Sequence, residues 1–80
     1  MINLVEFTGT VVGVKKEENG SFIFVKTDEG SFERLFDDGC EYRYLEVGTT
    51  GTFLVDGLTV FSTTYNLDTR LRLLKFVEDH

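Results

Sequence analysis

Apolar and polar residues alternate in short runs along most of the chain, a pattern that is typical of β-strands. The first run, residues 4–15, is interrupted by Gly9 and Gly13. A glycine inside a strand usually permits a bulge or a bend, so this strand is predicted to be long and bent. Residues 21–27 and 31–36 form two further runs, each followed or preceded by turn residues. The pattern therefore predicts a meander of three strands.

Residues 45–61 carry the strongest local prediction, a β-hairpin. Two stretches rich in Val, Phe, Thr and Leu flank Asp56-Gly57. A two-residue Asp-Gly loop favours the positive φ angles of a type I′ turn. The hairpin strands are predicted at about residues 52–55 and 58–63. With the meander they make five strands, which indicates a mainly β fold, a small five-stranded antiparallel barrel.

The tail, residues 66–80, fits two elements. At 100° per residue its charged side chains form one narrow stripe and its apolar side chains cover the rest, which favours a helix. As a strand, residues 70–73 alternate well, but Leu74 breaks the alternation and would require a bulge. We predict a C-terminal helix packed on a barrel of residues 1–65, with an extra strand as the alternative. The stripe consists of Asp68, Arg72, Lys75 and Asp79.

Composition limits the class of protein. Eighty residues with 41% hydrophobic content form one small domain. A single cysteine, Cys40, excludes an internal disulfide and indicates a reducing compartment. The N-terminus lacks the features of a signal peptide, and no run approaches the roughly 20 apolar residues of a membrane span. We therefore expect a cytoplasmic protein without membrane contact.

Three segments resemble a known group of domains. They are residues 8–12 (Thr-Gly-Thr-Val-Val), residues 44–48 (Tyr-Leu-Glu-Val-Gly) and residues 51–53 (Gly-Thr-Phe). The chain resembles the uncharacterised small OB-like barrel families of bacteria and their phages, which are domains of unknown function. The resemblance implies an OB-like or SH3-like barrel and carries no activity or functional residue. The tail lies outside it.

Catalytic and metal-binding patterns are not expected to operate in this chain. The single histidine, His80, is the last residue, so Cys40 has no evident base to activate it. The spacing of Asp37, Asp38, Cys40 and Glu41 fits neither a zinc set nor a calcium loop. The glycines match no phosphate-binding or dinucleotide motif. We expect no enzyme activity, no metal and no cofactor.

The favoured function is a non-catalytic protein-binding or oligomerising accessory module. Tyr and Arg are enriched at interface hot spots, so Tyr42, Arg43 and Tyr44 are candidate contact residues. Leu73 and Phe76 of the predicted helix are the other two. A specific version is a phage-encoded acidic inhibitor of a host protein, in which loop carboxylates imitate phosphates. The seven acids concerned are Glu17, Glu18, Asp28, Glu29, Asp37, Asp38 and Glu41.

The alternative function is single-stranded nucleic-acid binding. OB-like barrels bind such strands by stacking bases on aromatic residues of the second and third strands, supported by Lys and Arg. The net charge of −6 opposes this function, because phosphate contacts by cations supply most non-specific affinity. The competing interpretation is that the phenylalanines fill the core. The candidate residues are Phe22, Phe24, Lys26, Phe32 and Arg34.

Overall fold

Five β-strands close into a barrel in the computed structural model of the chain. The structure describes residues 4–18, 20–38, 41–42, 44–62 and 67–79, with the backbone alone for 58–62 and 67–70. The strand order around the barrel is β1-β2-β3-β5-β4, and β4 pairs back onto β1. The prediction of a small five-stranded barrel is confirmed. The strands are β1 (Leu4–Glu17), β2 (Gly20–Thr27), β3 (Phe32–Asp37), β4 (Thr50–Ser62) and β5 (Leu67–Glu78).

The barrel is mixed, so the prediction of a wholly antiparallel sheet is wrong. β5 pairs antiparallel with β4 but parallel with β3, through Leu35↔Leu71 and Phe36↔Arg72. β5 lies between β3 and β4, which run in opposite directions to each other. One of its two pairings is therefore necessarily parallel.

β1 belongs to both halves of the barrel, as predicted for a long, bent first strand. Residues 4–10 pair with β4 and residues 9–17 pair with β2. The register with β2 shifts between Val11 and Gly13. Val12 is therefore an extra residue, a bulge whose side chain is 44% exposed.

Gly9 of β1 and Gly51 of β4 are register partners, and each lies close to its other neighbouring strand, β2 for Gly9 and β5 for Gly51. A Cβ atom built on Gly9 would lie 2.5 Å from the Lys26 carbonyl oxygen and 2.7 Å from Val25 Cγ1. A Cβ on Gly51 would lie 2.5 Å from Phe76 Cε1. Only glycine permits this approach of neighbouring strands.

The predicted hairpin turn at Asp56-Gly57 is wrong, because β4 runs through it from Thr50 to Ser62. The register between β4 and β5 shifts between Asp56 and Thr59, so the Asp-Gly pair lies at an irregularity inside one strand. β5 pairs with β4 on both sides of this point, and this pairing overrides the local turn preference. The connection between the two strands falls at residues 63–66, outside the described residues.

The predicted C-terminal helix is also wrong, since the tail forms β5. Leu54 pairs with Lys75 and Val55 pairs with Leu73, so Leu74 is an extra residue in β5. It forms the bulge that the strand alternative required. Two weak charge pairs on a helix cannot compete with burial of Leu73 and Phe76 in the barrel. The described residues contain no helix of the length and apolarity needed to cross a membrane.

The core receives side chains from all five strands and from the loop residue Leu45. Phe53 lies at its centre and contacts two other rings, with centroids 5.6 Å from Phe7 and 4.7 Å from Phe76. The buried hydrophobic residues are Val11, Ile23, Val25, Leu35, Leu45, Phe53, Val55, Leu73 and Phe76.

Candidate functional site

The outer face of β2 and β3 is lined by aromatic and cationic side chains. In β2 the residues at positions 21, 23, 25 and 27 are buried, so the alternate positions point outward. In β3, Leu35 and Asp37 are buried, and the side chains at positions 32, 34 and 36 lie on the outside. No carboxylate belongs to this set. We call the resulting surface the aromatic face, formed by Phe22, Phe24, Lys26, Phe32, Arg34 and Phe36.

These six residues form three cross-strand pairs on the aromatic face, Phe22↔Phe36, Phe24↔Arg34 and Lys26↔Phe32. The rings of Phe22 and Phe36 have centroids 4.9 Å apart. Lys26 Nζ lies 5.9 Å from the Phe32 ring centroid, and Arg34 Cζ lies 5.4 Å from that of Phe22. Cations at such distances are attracted to the ring faces. The arrangement places each cation beside a ring.

Exposure distinguishes the rings of Phe24 and Phe32. Phe32 is 70% exposed, which is far more than a core filler would be. Phe24 is 37% exposed and lies over Gly13 of β1, where an added Cβ would be 3.4 Å from the ring. Phe24 therefore covers a glycine of the neighbouring strand, while most of the surface of Phe32 is exposed to solvent.

Two further cations extend the aromatic face onto the neighbouring strands β1 and β5. Lys15 of β1 pairs in register with Phe22, and Arg72 of β5 pairs with Phe36. At about 4.8 Å between strands, this row crosses four strands over roughly 14 Å. We call it the four-strand row, Lys15, Phe22, Phe36 and Arg72. Its two cations mark the two sides of the face.

Both flanking cations contact carboxylates. Lys15 Nζ lies 3.6 Å from Glu17 Oε1, and Arg72 Nη1 lies 3.9 Å from Asp38 Oδ2. All four side chains are partly exposed, with relative accessibilities from 43% to 71%. Each ion pair is therefore weak and open to competition by an anion in solvent.

Sequence reasoning missed Lys15, Phe36 and Arg72 as members of this site. Arg72 was assigned to the polar stripe of a helix that does not form. The alternation of residues 70–73, which was recognised as the strand alternative, is the signal that places Arg72 on the outside. Phe36 follows the same period of two as Phe32 and Arg34.

The structure brings only two of the residues predicted for protein contact together, Tyr42 and Tyr44, whose ring centroids are 6.2 Å apart. Tyr42 is half-buried against the core, and its backbone N–H donates a hydrogen bond of 2.8 Å to Asp37 Oδ2. Tyr44 is 63% exposed, and Arg43 lies outside the described residues. Leu73 and Phe76 are only 4% and 7% exposed, so they fill the core and are removed from the candidate contact surface.

A groove of about 500 Å³ lies between the start of β1 and the β2–β3 turn. Val5 and Phe7 form part of its lining, and its charged residues are all acidic. The described part of the chain places no three His, Cys, Asp or Glu side chains where they could hold a metal ion. Cys40 and His80 lie outside that part. The acids of the groove are Glu6, Asp28, Glu29 and Glu33.

Comparison of the chain with models of protein families found no match, and a search of curated proteins found none either. The candidate function therefore depends on the geometry of the aromatic face.

Proposed function

We propose that the protein is an OB-like barrel that binds single-stranded nucleic acid on its aromatic face. The strand order β1-β2-β3-β5-β4, with β1 shared between two halves, supports an OB-like Greek-key barrel. In such barrels the face of the second and third strands is the usual binding surface. The proposal adopts the alternative function from the sequence, now supported by where the side chains lie.

The observation that carries the proposal is the outward position of four phenylalanines and two cations on adjacent strands. A solvent-exposed Phe loses the free energy of burial that a core position would provide, about 1.5–3 kcal/mol for a full side chain. Phe32, which is 70% exposed, loses the largest part of this burial free energy. Stacking of a base on such a ring contributes about 1–3 kcal/mol.

Single strands fit this surface better than duplexes do. A base stacks on Phe32 only through its ring face, and those faces are covered by neighbouring bases in a duplex. Lys26 lies beside the same ring, where it could contact the phosphate of a stacked nucleotide. We therefore expect a preference for unpaired DNA or RNA over duplex of the same length.

The net charge of −6 does not remove the local attraction. The aromatic face contains Lys26 and Arg34 and no acid, and exposed charges more than about 10 Å apart are largely screened at 0.1 M salt. The acidic groove lies at the β2–β3 turn, at the same end of β2 as Lys26, so its carboxylates reduce the attraction most at that end of the face. Acidity outside the face lowers the affinity without abolishing the site.

The test is fluorescence anisotropy of a labelled 12-nucleotide oligothymidine at about 50 mM salt. We expect saturable binding by the full chain, and a loss of about ten-fold or more in the double variant K26Q/F32A. The matched control is K75Q/V77A on the outer side of β5. Val77 is 53% exposed and Lys75 is exposed, so the control loses the same charge and some exposed apolar surface, less than Phe32→Ala removes, elsewhere on the barrel.

Two results would contradict the proposal. The first is the absence of detectable binding by the full chain at this salt concentration. The second is an equal loss of affinity in K26Q/F32A and K75Q/V77A, because the binding would then have no preference for the aromatic face. A labelled duplex of the same length, bound less tightly, supports the single-strand preference.

The protein-binding accessory function is a second proposal, favoured by exposed apolar and acidic residues in the loops. Tyr44 and Val47 are 63% and 67% exposed, close together in the segment that leads into β4. Six of the seven loop acids are exposed, whereas Asp37 is buried and cannot imitate a phosphate. Acidic inhibition of a host protein, and a phage or bacterial source, belong to this proposal.

Capture from a bacterial lysate with the immobilised full chain tests the second proposal. The electrostatic version predicts a captured protein that is lost as salt rises, since surface charges are screened within about 3 Å at 1 M salt. Retention that is unchanged up to about 1 M salt contradicts that version. The variant Y44A/V47A is expected to weaken capture if the loop is the contact surface.

A further inference from the structure

The two ion pairs that flank the aromatic face occupy matching places on its two sides. Lys15 and Glu17 are two residues apart on the outer side of β1, at the β2 edge of the four-strand row. Asp38 directly follows β3 and contacts Arg72 of β5, at the opposite edge of the row. A carboxylate thus lies next to each flanking cation, at 3.6 Å and 3.9 Å.

We infer that Glu17 and Asp38 act as built-in competitors of the nucleic-acid phosphates for Lys15 and Arg72. The inference rests on the proposed function and adds to it the residues that limit affinity. A phosphate that contacts Arg72 must replace the carboxylate of Asp38 or approach beside it. The same holds for Lys15 and Glu17 on the other side.

As a consequence, the surface binds a nucleic-acid strand weakly at Lys15 and Arg72, on its two sides, and more tightly between them. An ion pair has little net charge, so it attracts a distant phosphate less than an isolated cation does. Both pairs are partly exposed, and exposed pairs are only marginally stable, so an incoming phosphate can displace either carboxylate. The pairs lower affinity and salt dependence without blocking the face.

The experiment compares two double variants that change the net charge equally, from −6 to −4. The test variant is E17Q/D38N. The control is E6Q/D79N, whose acids are exposed and lie on parts of β1 and of the segment after β5 distant from the four-strand row. Both are titrated with labelled 12-nucleotide oligothymidine at several salt concentrations between about 25 and 200 mM.

We expect each of E17Q and D38N to tighten binding by about two- to five-fold, as the loss of one weak carboxylate competitor implies. The slope of log affinity against log salt should steepen by up to about 0.7 at Lys15 and by less at Arg72, where Asp56 of β4 remains as a register partner. The control should change affinity by a smaller factor and leave the slope nearly unchanged. Urea unfolding checks that all variants are folded.

Equal tightening by the two double variants overturns the inference, because the effect would then depend on net charge and not on position. Unchanged affinity in E17Q/D38N, with binding by the unmodified chain intact, overturns it as well while leaving the proposed function standing. Absence of binding by every variant overturns both. Tighter binding by E17Q/D38N than by both the unmodified chain and E6Q/D79N supports the competitor role.

Discussion

Phe24 and Phe32 lie on the same face but have different physical roles. The ring of Phe24 covers Gly13, which has no side chain of its own to pack against β2. Phe32 lies at the start of β3 and is 70% exposed. Strand residues of the same type on one face can therefore cover the barrel or remain exposed to solvent, depending on what lies beside them.

Substitution of these two rings should separate stability from binding. We expect Phe24→Ala to lower the free energy of unfolding by about 1 kcal/mol or more, because Gly13 loses its cover. Phe32→Ala should change it by less than about 0.5 kcal/mol, as is usual for an exposed residue. Urea denaturation measures both. Equal destabilisation by the two variants would contradict the distinction.

Gly51 illustrates how closely the strands approach inside the barrel. In Gly51→Ala the new methyl group would lie against the Val77 carbonyl oxygen and 2.5 Å from the Phe76 ring. Such overpacking typically lowers the free energy of unfolding by about 1–3 kcal/mol.

The control for this prediction is Gly13→Ala, where the nearest atom to the added Cβ is 3.4 Å away, in the ring of Phe24. This distance is compatible with a small adjustment of the ring, so the loss should be below about 1 kcal/mol. Thermal or urea unfolding compares the variants. A Gly51→Ala variant as stable as Gly13→Ala would show that the close approach of β4 and β5 at this point relaxes easily.

Asp37 anchors the loop that follows β3. It is 2% exposed and accepts the hydrogen bond from the Tyr42 backbone N–H. We expect Asp37→Ala to destabilise the protein by about 1–3 kcal/mol, because the part-buried Tyr42 N–H loses its acceptor. Asp37→Asn keeps an acceptor oxygen and should cost less. Urea unfolding of the two variants tests this order.

At the scale of elements, β5 shows that the periodicity of a short segment cannot by itself distinguish a helix from a strand. Residues 67–78 have both an apolar arc at helical spacing and a strand alternation with one extra residue. The barrel selects the strand, since β5 supplies Leu73 and Phe76 to the core and pairs with both β3 and β4. Local helix propensity is a weaker effect than this burial and pairing.

Truncation after Asn66 should therefore abolish the folded state. The shortened chain loses two core side chains and leaves β3 and β4 with unpaired edges. We expect no cooperative unfolding transition by circular dichroism in urea. Removal of only Asp79 and His80, which lie beyond β5, is the control and should leave the transition in place. A folded chain of residues 1–66 would contradict β5 as a necessary strand.

At the scale of the whole molecule, the distribution of charge matters more than its sum. Lys15, Lys26, Arg34 and Arg72 all lie on or beside one face, although the protein has six more acids than bases. The proposed function therefore predicts a nucleic-acid affinity that is strongly reduced by salt and weak above physiological ionic strength.

The salt dependence gives a quantitative expectation. Neutralisation of two to four phosphates by these cations corresponds to a slope of roughly −1.4 to −2.8 in log affinity against log salt for a single strand. Anisotropy titrations at increasing salt measure it. A slope near zero would indicate that binding depends on stacking alone and that the cations do not contact phosphates.

The positions of the first three strands followed from the sequence because period-two alternation and turn residues are local properties. Residues 22–26 and 32–34 could be identified as a candidate aromatic and basic surface for this reason, and Gly9 and Gly13 signalled a bent first strand. The sequence could not decide between an outer surface and the core for the phenylalanines of β2, where four consecutive residues are apolar.

Only the tertiary structure decided which strands become neighbours, since register and closure depend on contacts between distant residues. It placed Lys15 and Arg72, which are 57 residues apart in the chain, on one row with Phe22 and Phe36. It also made Asp56-Gly57 part of a strand and turned the tail from a predicted helix into β5. In each case pairing and burial across the barrel outweighed the local preference of the segment.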